Sequence, residues 1–308
     1  MNSILEDFKM AFRSGNILNQ IIIINVVVFI TVGLISVFLR ISGNPAIGEA
    51  IYDYLALRPN LSKLVTQPLS FITYQFMHSG FRHILFNMLI LYWFGKLITE
   101  YLGQNKVLGL YLLGGLGGGL AYVLMYNLVP YYETGIAEGT LVGASAGVLA
   151  VVVGAATFQP DFSFQFFLLG RIRIIYVAAV AVVMSVLSID GTNAGGEIAH
   201  LGGALLGFVF IKQLQKGNDW SKPVAKFLIW GKSFFVRQPK IKVSYKNEQR
   251  FGAGKSSGKT KRSGKKSSAG SKETSQAEID AILDKISEKG YDALSKEEKQ
   301  KLFNASNK

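Results

Sequence analysis

The chain has 308 residues, 49% of them hydrophobic and 17% charged, with a formal net charge of +13. So few charges beside so much apolar mass exclude an ordinary soluble enzyme, and the apolar residues fall in blocks long enough to cross a bilayer. Cysteine is absent, which excludes disulfides, thiolate metal ligands and a cysteine nucleophile.

Residues 1–16 set Ile4, Leu5, Phe8 and Phe12 at helical spacing among Glu6, Asp7, Lys9 and Arg13, the pattern of an amphipathic helix on the membrane surface. The apolar block 17–39 exceeds the apolar region of a signal peptide and precedes no small-residue cleavage site, so it reads as a span. From Ile41 to Leu69 the sequence is mixed and punctuated by Gly43, Pro45, Pro59 and Pro68, which predicts a long, partly membrane-associated loop. Further blocks at 81–98, 107–129, 142–158, 172–189 and 198–214 bring the predicted spans to six, within a membrane domain covering 1–216.

Basic residues give the orientation. Lys9 and Arg13 precede span one, Lys96 and Lys106 follow span two, and Arg171 and Arg173 follow span four. The turns after spans three and five hold no Lys or Arg, and their charges are all acidic: Glu133, Glu138, Asp190 and Glu197. Both termini are therefore expected in the cytoplasm, with the domain in the plasma (inner) membrane. Arg40, Arg58 and Lys63, in the first outer loop, are exceptions to the pattern.

Residues 217–238 mix Trp220, Phe227, Trp230 and Phe234 with Lys222, Lys226, Lys232 and Arg237, as an interfacial amphipathic segment does. Residues 239–274 are rich in Lys, Arg, Ser and Gly and read as a disordered basic linker. Its expected partner is anionic lipid, not nucleic acid. Residues 275–308 predict a small helical hairpin: Ser275 with Glu278 and Ser295 with Glu298 are capping boxes, and Gly290 stands where the first helix should stop.

Polar groups inside spans are costly and therefore mark function by default. If span one runs outward, spans two, four and six all start at the outer face, and each starts with polar residues: His83 and Asn87, Ser145, and His200. Those groups are expected at one depth. A serine hydroxyl needs a neighbouring base to become a nucleophile, and imidazole titrates in the suitable range. Ser145 and His200 supply that pair. His83 and Asn87, one turn apart, can join the Ser145 backbone amide as oxyanion donors. The competing reading makes Ser145 part of a Gly143-x-x-x-Gly147 packing face, with His83 and Asn87 structural. His78 either supports the same face or holds the loop. With no carboxylate inside a span to orient His200, a dyad is expected, and Glu197, on the outer edge, reads as a solvated loop charge.

Met77-His78-Ser79-Gly80-Phe81-Arg82-His83-Ile84-Leu85-Phe86-Asn87-Met88, Gly143-Ala144-Ser145-Ala146 and Ala199-His200-Leu201-Gly202-Gly203 resemble, in order and spacing, three motifs of the rhomboid family over residues 17–216. The resemblance implies an all-α, six-helix intramembrane serine protease that cleaves transmembrane protein substrates near the outer face. It implies Ser145 as nucleophile, His200 as general base, His83 and Asn87 at the oxyanion hole and Gly143 as part of the Gly-x-Ser-x motif. Pro68-Leu69-Ser70-Phe71 stands where the family often has Trp-Arg, and Leu149 where many members carry an aromatic ring. The alternatives are a catalytically silent rhomboid-like protein binding transmembrane clients, and a metal-dependent enzyme using the three histidines. His78 and His83, five residues apart, share no helix face, so neither a metal nor another cofactor is expected.

Overall fold

A computed structural model describes residues 16–166, 170–235, 276–289 and 293–306. The surface helix expected in 1–16, the linker 239–274, the Ser275 cap and the Gly290 stop fall outside these apart from residue 16. The chain divides into two units, Met1–Lys240 and Ile241–Lys308.

The first unit is an all-α bundle. Helix α1 (Ile17–Ile41) starts where the Asn16 side chain accepts from the Asn19 amide, and the Gln104 side chain accepts from the Ile17 amide at 2.8 Å. Helices α5 (Phe81–Leu102) and α6 (Gln104–Leu128) meet at Gly103, whose φ of +90° turns the chain in a single residue. Then come α7 (Ser145–Phe158), α8 (Ile174–Leu187) and α9 (Ala194–Gln215). The outward faces are apolar: Ile30, Leu34, Val37 and Phe38 of α1 and Val180, Val183, Met184 and Leu187 of α8 are each at least half exposed. An aqueous surface does not tolerate such a continuous patch, whereas hydrocarbon does, so this is a membrane bundle.

Among the described residues three helices, α1, α6 and α9, are long and apolar enough to cross a membrane. Helices α7 and α8 have 14 residues each, about 21 Å at 1.5 Å per residue, short of a ~30 Å hydrocarbon layer. Several bounds differ from those expected. Helix α7 starts at Ser145 and not at 142, because Leu141 pairs with Leu57 in an antiparallel bridge and Gly143 adopts φ +136°, which no helix accommodates. Helix α9 starts four residues early, at Ala194, which brings Glu197 into its first turn.

The expected first loop is largely helical: α2 (Pro45–Leu55), α3 (Leu61–Thr66) and α4 (Ser70–Thr73), followed by a 3₁₀ turn over Tyr74–Phe76. Pro45 serves at the first position of α2 and Asn60 caps α3, so these residues start helices as well as punctuate loops. Arg58 pairs with Asp53 and donates to the carbonyls of Glu138 and Gly139 at 3.0 and 3.1 Å. That explains its departure from the charge rule, since it is a structural tie and not a loop charge. The expectation of an all-α chain is departed from at the hairpin of β1 (Ser163–Phe166) and β2 (Gly170–Arg173) between α7 and α8. Phe162 and Phe164 pack edge to face there, and the alternation of Ile172 between Arg171 and Arg173 suits a half-covered strand.

Small residues set the core. A Cβ on Gly203 or Gly207 of α9 would collide with the carbonyl oxygens of Ala146 and Ala150 of α7. One on Gly118 of α6 would lie 2.6 Å from the Ala199 carbonyl oxygen. The backbones of α6, α7 and α9 therefore touch, as membrane helices do when small residues line their contact. Helix α10 (Ser221–Phe235) follows. Its start is fixed by the 2.8 Å Lys106–Asp219 pair and by Trp220 edge-on to Phe210. Burial raises the Asp219 carboxyl, but the Lys106 ammonium and the Ser221 hydroxyl and amide outweigh it and hold the group below its ordinary range.

The second unit pairs α11 (Gln276–Lys289) with α12 (Lys296–Ser306). At the start of α12 the Ser295 amide donates to Glu298 at 2.7 Å and the Glu298 amide donates to the Ser295 hydroxyl at 3.3 Å, a reciprocal capping box. Lys285 reaches the same carboxylate at 2.9 Å and, with the Ser295 amide, holds it down to about 2.

Candidate active site

Ser145 is the first residue of α7, and the first four amides of a helix have no intrahelical acceptor, so its N–H faces outward with the positive end of the helix dipole behind it. Gly143 shapes the approach. Its amide donates to the Tyr74 carbonyl at 2.9 Å, its φ of +136° suits glycine, and a Cβ there would lie 2.8 Å from His83 Cε1, 2.9 Å from His83 Nε2 and 3.5 Å from Ser145 Oγ. The glycine is what lets the imidazole edge of His83 share this corner with the Ser145 hydroxyl.

His83 is held by a residue that sequence reasoning missed. Ser79 Oγ lies 3.0 Å from its Nδ1, which leaves Nε2 as the nitrogen turned to Gly143. Asn87, one turn on and 7% exposed, donates from Nδ2 to the His83 carbonyl at 2.8 Å. A side-chain amide carries two N–H bonds, so one is left to donate elsewhere. His78 packs edge to face on His83 with ring centroids 5.1 Å apart. Neither of its ring nitrogens makes a hydrogen bond of good geometry. Burial, then the neighbouring His83, pushes its pKa down to about 4, so the ring is neutral.

His200 stands on the first turns of α9. Its Nδ1 lies 3.1 Å from Glu197 Oε2 and 3.2 Å from Ser185 Oγ of α8. This corrects the reading of Glu197 as a solvated loop charge: with α9 beginning at Ala194, positions 197 and 200 fall on one helix face, and the Glu197 side chain is 17% exposed. The i,i+3 spacing was visible in the sequence; the helix start was not. Ser185 gave no signal, because nothing in a lone serine on an apolar helix says which neighbour it faces.

The structure brings Ser145, His200, Asn87, Glu197 and Ser185 to one cavity of about 330 Å³, whose remaining wall is apolar, from Ile90 and Phe94 of α5, Val148, Leu149 and Val152 of α7, and Val177, Ala181 and Met184 of α8. Leu149, with no ring to fill the space, leaves room beside His200. His83 does not line this cavity; with Arg40, Glu49, Asp53, Arg58 and Ser79 it lines a separate polar cavity of about 820 Å³. A hydroxyl at a helix N-terminus, an imidazole and a set of N–H donors are groups of the kind that hydrolytic acyl transfer uses. His78 reaches these groups only through His83.

Residues 65–216 match the rhomboid domain model, and residues 270–308 match a family of unknown function, DUF6576. The chain is 26% identical to the bovine (Bos taurus) presenilin-associated rhomboid-like protein, mitochondrial, over 70% of this chain and 52% of that protein. It is 28% identical to RHOMBOID-like protein 12, mitochondrial, of Arabidopsis thaliana, over 48% of this chain and 46% of that protein. With Rhomboid-like protein 11, chloroplastic, of the same plant it shares 31% identity over 47% and 52%. The chain thus spans about half the length of the curated relatives it matches. With its three motifs carried at the starts of α5, α7 and α9, and with this domain match over residues 65–216, the chain belongs to the rhomboid family.

Proposed function

We propose that the protein is an intramembrane serine endopeptidase that hydrolyses peptide bonds of transmembrane proteins near the outer membrane face, its six apolar helices acting as six spans. The observation that carries this reading is the single cavity shared by Ser145, His200 and Asn87.

In this mechanism His200 Nε2 takes the proton of Ser145 as Oγ attacks the peptide carbonyl carbon, and the carbonyl π pair moves to oxygen. The Ser145 amide, His83 Nε2–H and the free Asn87 N–H face that oxyanion. If Ser79 donates to Nδ1, the His83 proton resides on Nε2, the tautomer that can donate. Collapse expels the amine, which receives its proton from the imidazolium. Water then attacks the acyl ester, giving its proton to His200, and Ser145 leaves with that proton. The polar cavity beside His83 suits the entry of this water, and the apolar cavity suits a substrate side chain. No step requires a metal or cofactor.

Basic residues at the turns after α5 and in the β hairpin support cytoplasmic termini and residence in the plasma (inner) membrane, with the Lys-bearing helix α10 and the basic tail against anionic lipid. Nucleic acid is not part of this reading.

The test is cleavage of a model transmembrane substrate by the full chain in proteoliposomes, comparing wild type, Ser145→Ala, His200→Ala, Asn87→Ala and a chelator-treated sample. The expected result is loss of cleavage in the first two variants, a ~100-fold slower turnover in the third and no effect of the chelator. Cleavage surviving Ser145→Ala would refute the reading, and substrate binding without cleavage by wild type would establish a silent client-binding protein.

A further inference from the structure

We propose that Glu197 is a positioning carboxylate for His200, so that the centre works as a Ser145–His200–Glu197 triad with Ser185 beside it and not as a two-residue dyad. The inference rests on the reading of Ser145 and His200 as nucleophile and base.

Four observations support it. Glu197 Oε2 lies 3.1 Å from His200 Nδ1. The two side chains are only 17% and 23% exposed. Ser185, 3% exposed and carried by another helix, lies 3.2 Å from the same nitrogen. And all three line the cavity that holds Ser145. The charged or titratable groups around His200 are Glu197 on its own helix and His83 on α5; α7 and α8 present the hydroxyls of Ser145 and Ser185.

The chemistry follows from proton placement. A neutral imidazole carries one N–H, and an ionised carboxylate only accepts. Facing Nδ1, Glu197 therefore holds the proton on Nδ1 and leaves the lone pair on Nε2, the nitrogen that must take the Ser145 proton. That Nδ1 proton is not transferred: when Nε2 gains the serine proton, the carboxylate faces a full imidazolium and stabilises it. A dyad lacks any group that selects this tautomer. The helix dipole offers a blander account of Glu197, since acids favour first turns, but a dipole partner would point along the helix axis and need not touch His200.

The test uses the full chain in proteoliposomes with a fluorogenic transmembrane substrate, and ¹⁵N-histidine NMR of the same protein, whose three histidines permit assignment by single substitution. Glu197→Gln is expected to lower kcat by about 100-fold or more with KM within about twofold. It should also move the neutral-ring proton of His200 from Nδ1 to Nε2, because a glutamine N–H donates to Nδ1. Glu197→Asp, which keeps the carboxylate, should recover part of kcat and the Nδ1–H tautomer; Glu197→Ala should lose kcat without imposing the Nε2–H form. A Glu197→Gln protein with kcat within about threefold of wild type and the proton still on Nδ1 overturns the inference alone, provided Ser145→Ala is inactive. Cleavage that persists in Ser145→Ala, or is absent from wild type, overturns the underlying reading and the catalytic role of Glu197 with it, while the tautomer readout still reports whether Glu197 orients the ring.

Discussion

Replacing Gly203 by alanine measures how far the spacing of Ser145 and His200 depends on backbone contact between α7 and α9. The added methyl would collide with the Ala146 carbonyl oxygen and lie 2.8 Å from Ala146 C and 3.1 Å from Ala146 Cα. Ordinary van der Waals contact begins near 3.4 Å, so the helices must part by roughly 0.6 Å at Ala146 C, and more at the oxygen. These atoms are backbone and cannot rotate away as a side chain would. Overpacking of this kind costs about 1–3 kcal/mol. Ala146 adjoins Ser145, and Gly203 lies one turn below His200, so the same displacement enters the distance between the reacting groups, where ~1 Å costs about 100-fold. The expected result for Gly203→Ala is a 10- to 100-fold lower kcat, at about the exponents those values bracket, together with a lower melting temperature in detergent. Gly33→Ala, with nothing within 4 Å of the new methyl, serves as the control and should leave kcat unchanged and the melting temperature no lower than that of wild type. Wild-type turnover and melting in Gly203→Ala would refute the argument that these helices are in backbone contact.

Gly143→Ala puts a methyl against the His83 ring and forces φ +136° on a residue with a Cβ, so kcat should fall at least ~10-fold with a much smaller change in melting temperature, as cleavage kinetics beside a thermal scan will show. His78 makes stability depend on pH: the folded chain keeps the ring neutral down to about 4, whereas the unfolded chain titrates at 6.5. Its contribution is therefore intact above pH 6.5 and is lost as pH falls from 6.5 towards 4, by up to about 3 kcal/mol at 1.36 kcal/mol per pKa unit. His78→Phe should flatten that part of the melting-temperature profile, and an unchanged slope would contradict the buried neutral ring. Ser295→Ala removes the hydroxyl that accepts from the Glu298 amide, one of the two bonds of the capping box, and should cost the C-terminal hairpin about 1 kcal/mol, read as faster amide exchange at Glu298.

Much of the bundle was legible because membrane helices write themselves in composition. The run Gly202, Gly203 and Gly207 announced the close contact of α9 with α7, and the placing of His83, Asn87, Ser145 and His200 at the starts of alternate helices announced their convergence. What was illegible depended on partners distant in sequence. Arg58 looked like a stray charge until Asp53 and the Glu138 and Gly139 carbonyls surrounded it. Ser185 is one serine on an apolar helix, and only the packing of α8 beside α9 gives it His200. Glu197 was misread because a helix start was placed four residues late, and a shift of that size turns a loop charge into a neighbour of the imidazole. The prolines of the first loop were read as breaks, although Pro45 opens a helix.

The glycine stack of α6, α7 and α9 also bears on how such a protein can diversify. Where main chain rests on main chain there are almost no side chains left to exchange, so drift is channelled into the cavity walls supplied by α5, α8 and the opposite face of α7. Helix α8 buries only Ile174, Ala178 and Ser185 and can trade its other residues with little loss. A library varied at Val177, Ala181 and Met184 would sample new specificities on an unaltered frame, while the same effort spent on the glycines would return mostly misassembled chains.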